Sequence, residues 1–303
     1  MKTFNYLLFI IGFFMVSCNS DADKNGSESE PEEKPFIPCD PIELSWDGER
    51  PVDTFNYPIL PYMDEWKNLK TGQEMRNVCQ VPLSVLEEMS TQAIIQTIWV
   101  HPLLVGDIFN DGYYQRVVES RFCYNQIRCT PINACIELAG REDAGKALLE
   151  RLLLVDPFSA TPRHEPQWET PWLEAQMIDI FLSQSVFLTQ LNDCEKKTIV
   201  KVALKNDSIR NNNVAWANEN SFSLSISKIT TAILIAGTLY EAKYPPFLSA
   251  VSLDEELQFF LSGKRTGDLS FGYNWYNYYS YLYPVQDIIS RIMSLGEKFM
   301  NEK

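Results

Sequence analysis

Hydrophobic and polar positions divide the chain into stretches of different texture. Leu7 to Val16 is an apolar run interrupted only by Gly12 and preceded by Lys2. A bilayer span needs about 20 apolar residues, so the run predicts a signal peptide over residues 1–17 and not a transmembrane helix. From Asn19 to Pro35 the only aliphatic side chain outside proline is Ala22. Such a composition buries too little surface to offset the entropy of ordering, which predicts a flexible tether over residues 18–35. Residues 36–81 are proline-rich at first and read as extended. Ile42, Leu44 and Trp46 alternate with polar residues ahead of Asp47-Gly48, a pair that favours a tight hairpin turn. The expectation is an extended or hairpin segment draped on a helical body, with Trp46 and Phe55 as anchors.

From Pro82 onward the apolar positions recur at helical spacing. Pro82 suits a first helical position, and Val85, Leu86 and Met89 give the next turns an apolar side. Ser90-Thr91 reads as the cap of a helix from Gln92 to Trp99. Further helices are predicted over Asp107–Phe122, from Pro131 to the Gly140 stop, and over Glu142–Val155. Trp172–Leu191 is apolar nearly all round and predicts a central helix covered by neighbours. Glu195–Leu204 is amphipathic, and the Asn-rich stretch Asn206–Asn213 reads as a loop. The next helix, Asn218–Ala242, contains the apolar run Ile229–Leu239; Ser252 reads as the cap of Leu253–Leu261, and Val285–Met300 closes the chain. The predicted fold is all-α, with a helical domain over residues 82–303. Its helices would form an irregular array of antiparallel helical hairpins, an open superhelix or a bundle, preceded by the extended N-terminal segment. No strict period supports a regular solenoid.

Charge narrows the partners. Of the net charge of −14, the run from Asn19 to Pro35 contributes six acids against two lysines and Lys2 contributes one positive charge, leaving −11 on the remainder. An acidic surface repels phosphates, so nucleic acid is excluded as a partner. Besides Cys18 there are six cysteines: Cys39, Cys79, Cys123, Cys129, Cys135 and Cys194. An exported chain permits disulfides, whose pairing the sequence leaves open. A bond tying the Cys123 to Cys135 segment is the expectation, with buried thiols as the alternative, and Cys123, Cys129 and Cys135 keep an even spacing. It is not the close spacing of a zinc site.

Met15-Val16-Ser17-Cys18 resembles the bacterial lipobox, in which the cysteine thiol receives a diacylglyceryl group before cleavage in front of it. The resemblance implies that Cys18 carries the lipid anchor and that the acyl chains hold the protein to the outer membrane. The acidic run Asn19-Ser20-Asp21-Ala22-Asp23 is similar to the signal that Bacteroidetes place behind the lipidated cysteine to reach the cell surface. Asp64-Glu65-Trp66-Lys67, Leu69 to Met75, and Cys79-Gln80-Val81-Pro82 resemble the opening of a group of uncharacterised Bacteroides lipoproteins with an all-helical domain. The likeness continues through Pro102-Leu103-Leu104 and Arg141-Glu142-Asp143 and covers the N-terminal half. It implies compartment and helical fold and carries no functional residues.

Catalytic chemistry has little footing. His101 and His164 are the only histidines and lack a neighbouring ligand at helical spacing, and no metal, phosphate-loop or nucleophile-elbow motif is present. No catalytic or metal-ligating residue is predicted, and no cofactor. Phe271 to Tyr283 is the most unusual stretch. There Tyr273, Trp275, Tyr276, Tyr278 and Tyr279 alternate with glycine, asparagine and serine. Such flat rings with polar rims form ligand platforms, and they also pack helices together. The leading expectation is a non-enzymatic, lipid-anchored binding or scaffold protein engaging a glycan, a peptide or an envelope protein. The alternatives are a carbohydrate-active hydrolase or lyase with carboxylates assembled from distant helices, and a structural subunit of an envelope complex.

Overall fold

The computed structural model describes residues 39–103, 132–157, 171–212, 221–262 and 282–302. The chain divides into units 1–38 and 39–303, and every described residue belongs to the second. The described residues are helical, with no strand among them. Thirteen helices follow in order among them: α1 Asp64–Lys67, α2 Gly72–Val78, α3 Leu83–Leu86, α4 Thr91–Trp99, α5 Asn133–Gly140, α6 Ala144–Leu154, α7 Pro171–Leu182, α8 Ser185–Leu188, α9 Asp193–Asn212, α10 Ser221–Glu241, α11 Pro245–Leu253, α12 Glu255–Ser262 and α13 Leu282–Asn301.

Local chemistry explains where many of them start and stop. The Thr71 hydroxyl accepts from Glu74 N at 3.1 Å and Glu74 accepts from Thr71 N at 3.0 Å, a reciprocal pair that satisfies two orphan donors of α2. Asn192 and Glu195 do the same for α9, at 2.9 and 2.8 Å. Ser90 caps α4 as predicted, accepting from Ala93 N at 3.2 Å. At the end of α10, Tyr244 N donates to Leu239 O and Lys243 N to Tyr240 O, both at 3.0 Å. This closing motif requires a left-handed residue, and Lys243 takes that place with φ 55°.

Two helices collect the others. α10 packs against α7, α8, α9, α11 and α13, and α6 against α4, α5, α7, α8 and α9. The short α8 lies against both, held by two glycines. A Cβ on Gly145 of α6 would stand 2.4 Å from Phe187 O, and one on Gly237 of α10 would stand 2.7 Å from Ser183 O. Gln190 completes the joint by accepting from Gly145 N at 2.7 Å and donating to Arg141 O at 3.0 Å.

Several expectations are corrected. Helices begin at Asp64, inside the stretch read as extended. Asp47-Gly48 forms a turn, with Gly48 at φ 88° and Glu49 N donating to Asp47 Oδ1 at 2.9 Å, but no hairpin follows. The predicted Trp172–Leu191 helix breaks after Leu182, where the Ser183 hydroxyl turns back onto Ile180 O at 2.8 Å and its carbonyl meets Gly237. The Asn-rich loop is helix through Asn212. Asn211 bonds Asp207 at 2.8 Å and Asn212 bonds Ser208 O at 2.9 Å, one turn back each, which offsets weak propensity. Ser252 lies within α11, and the cap of α12 is Asp254, accepting from Glu256 N and Leu257 N at 2.9 Å each. Asp107–Phe122 lies outside the described residues.

One disulfide among the described residues joins cysteines outside the segment where a bond was expected. Cys39 bonds to Cys194, with Cα atoms 5.4 Å apart and a sequence separation of 155. Closing so long a loop removes about 5 kcal/mol of chain entropy from the unfolded state in the simplest model. Cys79 and Cys135 are fully buried, and Cys123 and Cys129 lie outside the described residues.

Candidate functional site

Cys18, Tyr273, Trp275, Tyr276, Tyr278 and Tyr279 all lie outside the described residues, as does His164. His101 is described and buried at the end of α4, its ring 5.3 Å from that of Tyr57 and its Nδ1 accepting from Leu103 N at 3.2 Å.

The chemistry the described residues do assemble is a polar seam through the core. α6 contributes Glu150 and Arg151, α7 contributes Glu174, Gln176 and Asp179, and α10 contributes Ser227, Thr230 and Thr231; all are buried. Arg151 is paired with Glu174, its Nε donating to Oε1. Gln176 donates to Ser227. Asp179 accepts from the hydroxyls of Thr230 at 3.1 Å and Thr231 at 3.0 Å. One helix, α7, thus reaches α6 through an ion pair and α10 through hydroxyls. Removing one partner of a buried pair such as Arg151–Glu174 costs about 3–5 kcal/mol, because a charge is left uncompensated.

The N-terminal segment covers one end of this seam. Ser45 Oγ donates to Glu150 at 2.8 Å and Trp46 N at 3.1 Å. The Trp46 ring stacks on Arg151, with the guanidinium 4.6 Å from the ring centre. Farther along, Asp53 accepts from Ser90 N at 2.6 Å, and Phe55 N donates to Thr97 Oγ1 at 3.0 Å. Residues 39–57 therefore form a strap with three points of attachment: Cys194 of α9, Glu150 and Arg151 of α6, and the α4 end from Ser90 to Thr97. Trp46 is buried, and Phe55 is half-buried against the core, its ring 5.2 Å from that of Tyr57.

Electrostatics follow these contacts. Burial alone would raise the Asp53 carboxyl, but the N–H and hydroxyl of Ser90 outweigh it and hold it below the ordinary value. Asp254 follows the same pattern: desolvation raises it, and Leu257 N, Arg291 and Glu256 N bring it lower. Tyr244 is pushed up to about 12 by burial, and by its hydrogen bond to Glu302 at 2.9 Å and the charge of that carboxylate.

Each seam carboxylate already has a partner in the fold: Glu150 in the strap, Glu174 in Arg151, Asp179 in the α10 hydroxyls. Their chemistry is cohesion between elements. Among the described residues no group of three or more His, Cys, Asp or Glu could hold a metal ion, and no helix is long and apolar enough to cross a membrane. Sequence reasoning missed the seam, although Glu150-Arg151 set among Leu148, Leu149 and Leu152 was a visible signal. Comparison with known family models, curated proteins and solved structures finds no match.

Proposed function

We propose that this protein is a lipid-anchored binding or scaffold protein of a bacterial outer membrane, related to the uncharacterised helical Bacteroides lipoproteins its opening resembles. The observation that carries the reading is the apolar run ending in Met15-Val16-Ser17-Cys18, followed by a polar acidic tether. In this reading Cys18 bears the acyl chains, residues 18–35 are the tether, and the helical body is held away from the bilayer. The Cys39–Cys194 disulfide supports export, because such bonds persist in oxidising compartments. The helices are proposed to assemble as antiparallel hairpins in an open superhelix or irregular bundle. Tyr273, Trp275, Tyr276, Tyr278 and Tyr279 are proposed to form the platform for a glycan, a peptide or an envelope protein. The hydrolase alternative draws no support from the buried carboxylates, which are engaged within the fold.

Membrane fractionation tests the anchor. Cys18→Ser is expected to move the protein into the soluble fraction, and its retention in the membrane would overturn the reading. A thermal-shift screen of the protein against glycans, peptides and peptidoglycan fragments tests the platform. A ligand at 100 times its Kd adds about 2.7 kcal/mol.

A further inference from the structure

We propose that residues 39–57 are a strap closed by oxidation, so that the domain completes its fold only once Cys39 and Cys194 meet an oxidising compartment. The proposal rests on the export reading above and adds a device to it.

The strap is unevenly held. From Cys39 to Ser45 every side chain is exposed except the half-buried Ile42, so the disulfide is the main hold on this end. Cys39 is exposed and Cys194, in the first turn of α9, is half-buried, so reagents reach the bond from solvent. From Ser45 onward the attachments are polar and inward. The hydrogen bonds that buried Glu150 accepts come from Ser45 and Trp46, and Arg151 lies beneath the Trp46 ring.

A strap free at its Cys39 end can lift away and let water solvate Glu150 and Arg151, whereas a bonded one opens only as a constrained loop. The chain before export is thus a helical body with a loose N-terminal segment. Closure forms the Sγ–Sγ bond and breaks two S–H bonds. Two electrons and two protons pass to the disulfide of an exported thiol–disulfide oxidase, which leaves as a dithiol.

Native-state hydrogen exchange on the full chain tests this, with the Trp46 and Phe55 amides as strap reporters and Phe181 and Ile235 as core reporters. Dithiothreitol, or Cys39→Ser, is expected to widen the gap between strap and core exchange by about tenfold or more, and reoxidation is expected to restore it. If both sets accelerate by the same factor, the bond is a global staple and the proposal fails. If strap exchange is unchanged, the polar contacts alone hold the strap and the proposal also fails. The readout is independent of where the protein resides, so it stands apart from the fractionation of Cys18→Ser.

Discussion

Replacing glycine by alanine at three helical positions should give three different answers, and the geometry around each decides the sign. In a helix interior alanine is favoured over glycine by about 0.8–1.0 kcal/mol. Gly140, at the end of α5, has nothing within 4 Å of an added Cβ. Gly140→Ala is therefore expected to be neutral or to stabilise by up to about 1 kcal/mol. At Gly237 the methyl would come within 2.7 Å of Ser183 O and 3.3 Å of Leu188 Cδ1, where ordinary contact begins at 3.4 Å. The obstacle is a backbone carbonyl, so relief means moving α8 away from α10. Overpacking of this kind costs about 1–3 kcal/mol, and the propensity gain leaves a net loss of up to about 2 kcal/mol.

Gly145 is tighter still, at 2.4 Å from Phe187 O, and a methyl there also crowds Gln190 Oε1 at 3.1 Å. That oxygen accepts from Gly145 N, so disturbing it adds about 1 kcal/mol and brings the expected loss to about 3 kcal/mol. The assay is urea unfolding of the full chain. With a slope of about 3 kcal/mol per molar, Gly145→Ala should lower the midpoint by about 1 M. If Gly145→Ala and Gly237→Ala unfold at the same midpoint as Gly140→Ala, the claim that α8 is clasped between α6 and α10 is refuted.

Three further outcomes follow from the caps and buried hydroxyls. Asp53 and Asp254 have lowered pKa values, so the stability they contribute is present above the ordinary carboxylate value and is lost as pH falls through their folded values; urea midpoints should decline below about pH 4, less steeply in Asp254→Asn. Tyr244 has the opposite sense: its neutral form is favoured, so stability should fall between about pH 10 and its value of about 12, and Tyr244→Phe should remove that slope. Lys243→Gly relieves the left-handed backbone at the end of α10 and should raise stability by about 1 kcal/mol, partly offset by losing the ammonium 4.6 Å above the Tyr240 ring. A lowered melting temperature in that variant would contradict the assignment.

Local signals were legible in the sequence where the physics was local. Ser90 before an apolar run marked a helix start, and the largely apolar character of Ile229–Leu239 marked a helix with neighbours around it, as α10 proves to be. The misreadings fall where specific contacts override propensity. Nothing near Ser183 announces a break, and the close approach of its carbonyl is to Gly237, far along the chain. Asn206–Asn213 looks like a loop by composition, yet side-chain bonds one turn back carry α9 through Asn212. The Cys39–Cys194 pairing spans 155 residues and leaves no trace in spacing. The seam was hidden for a different reason: its polar residues punctuate helices whose average character is apolar, and averaging erases them.

The disulfide also sets where a mechanical load would enter. A pull on the chain before Cys39 would otherwise fall on Ser45 and Trp46 and peel the strap one contact at a time. Because Cys39 is covalently joined to α9, the force passes into the helix that packs on α6, α10 and α13 and is shared among them in shear. A domain built this way can be pulled from its N-terminal side without being unzipped from that end.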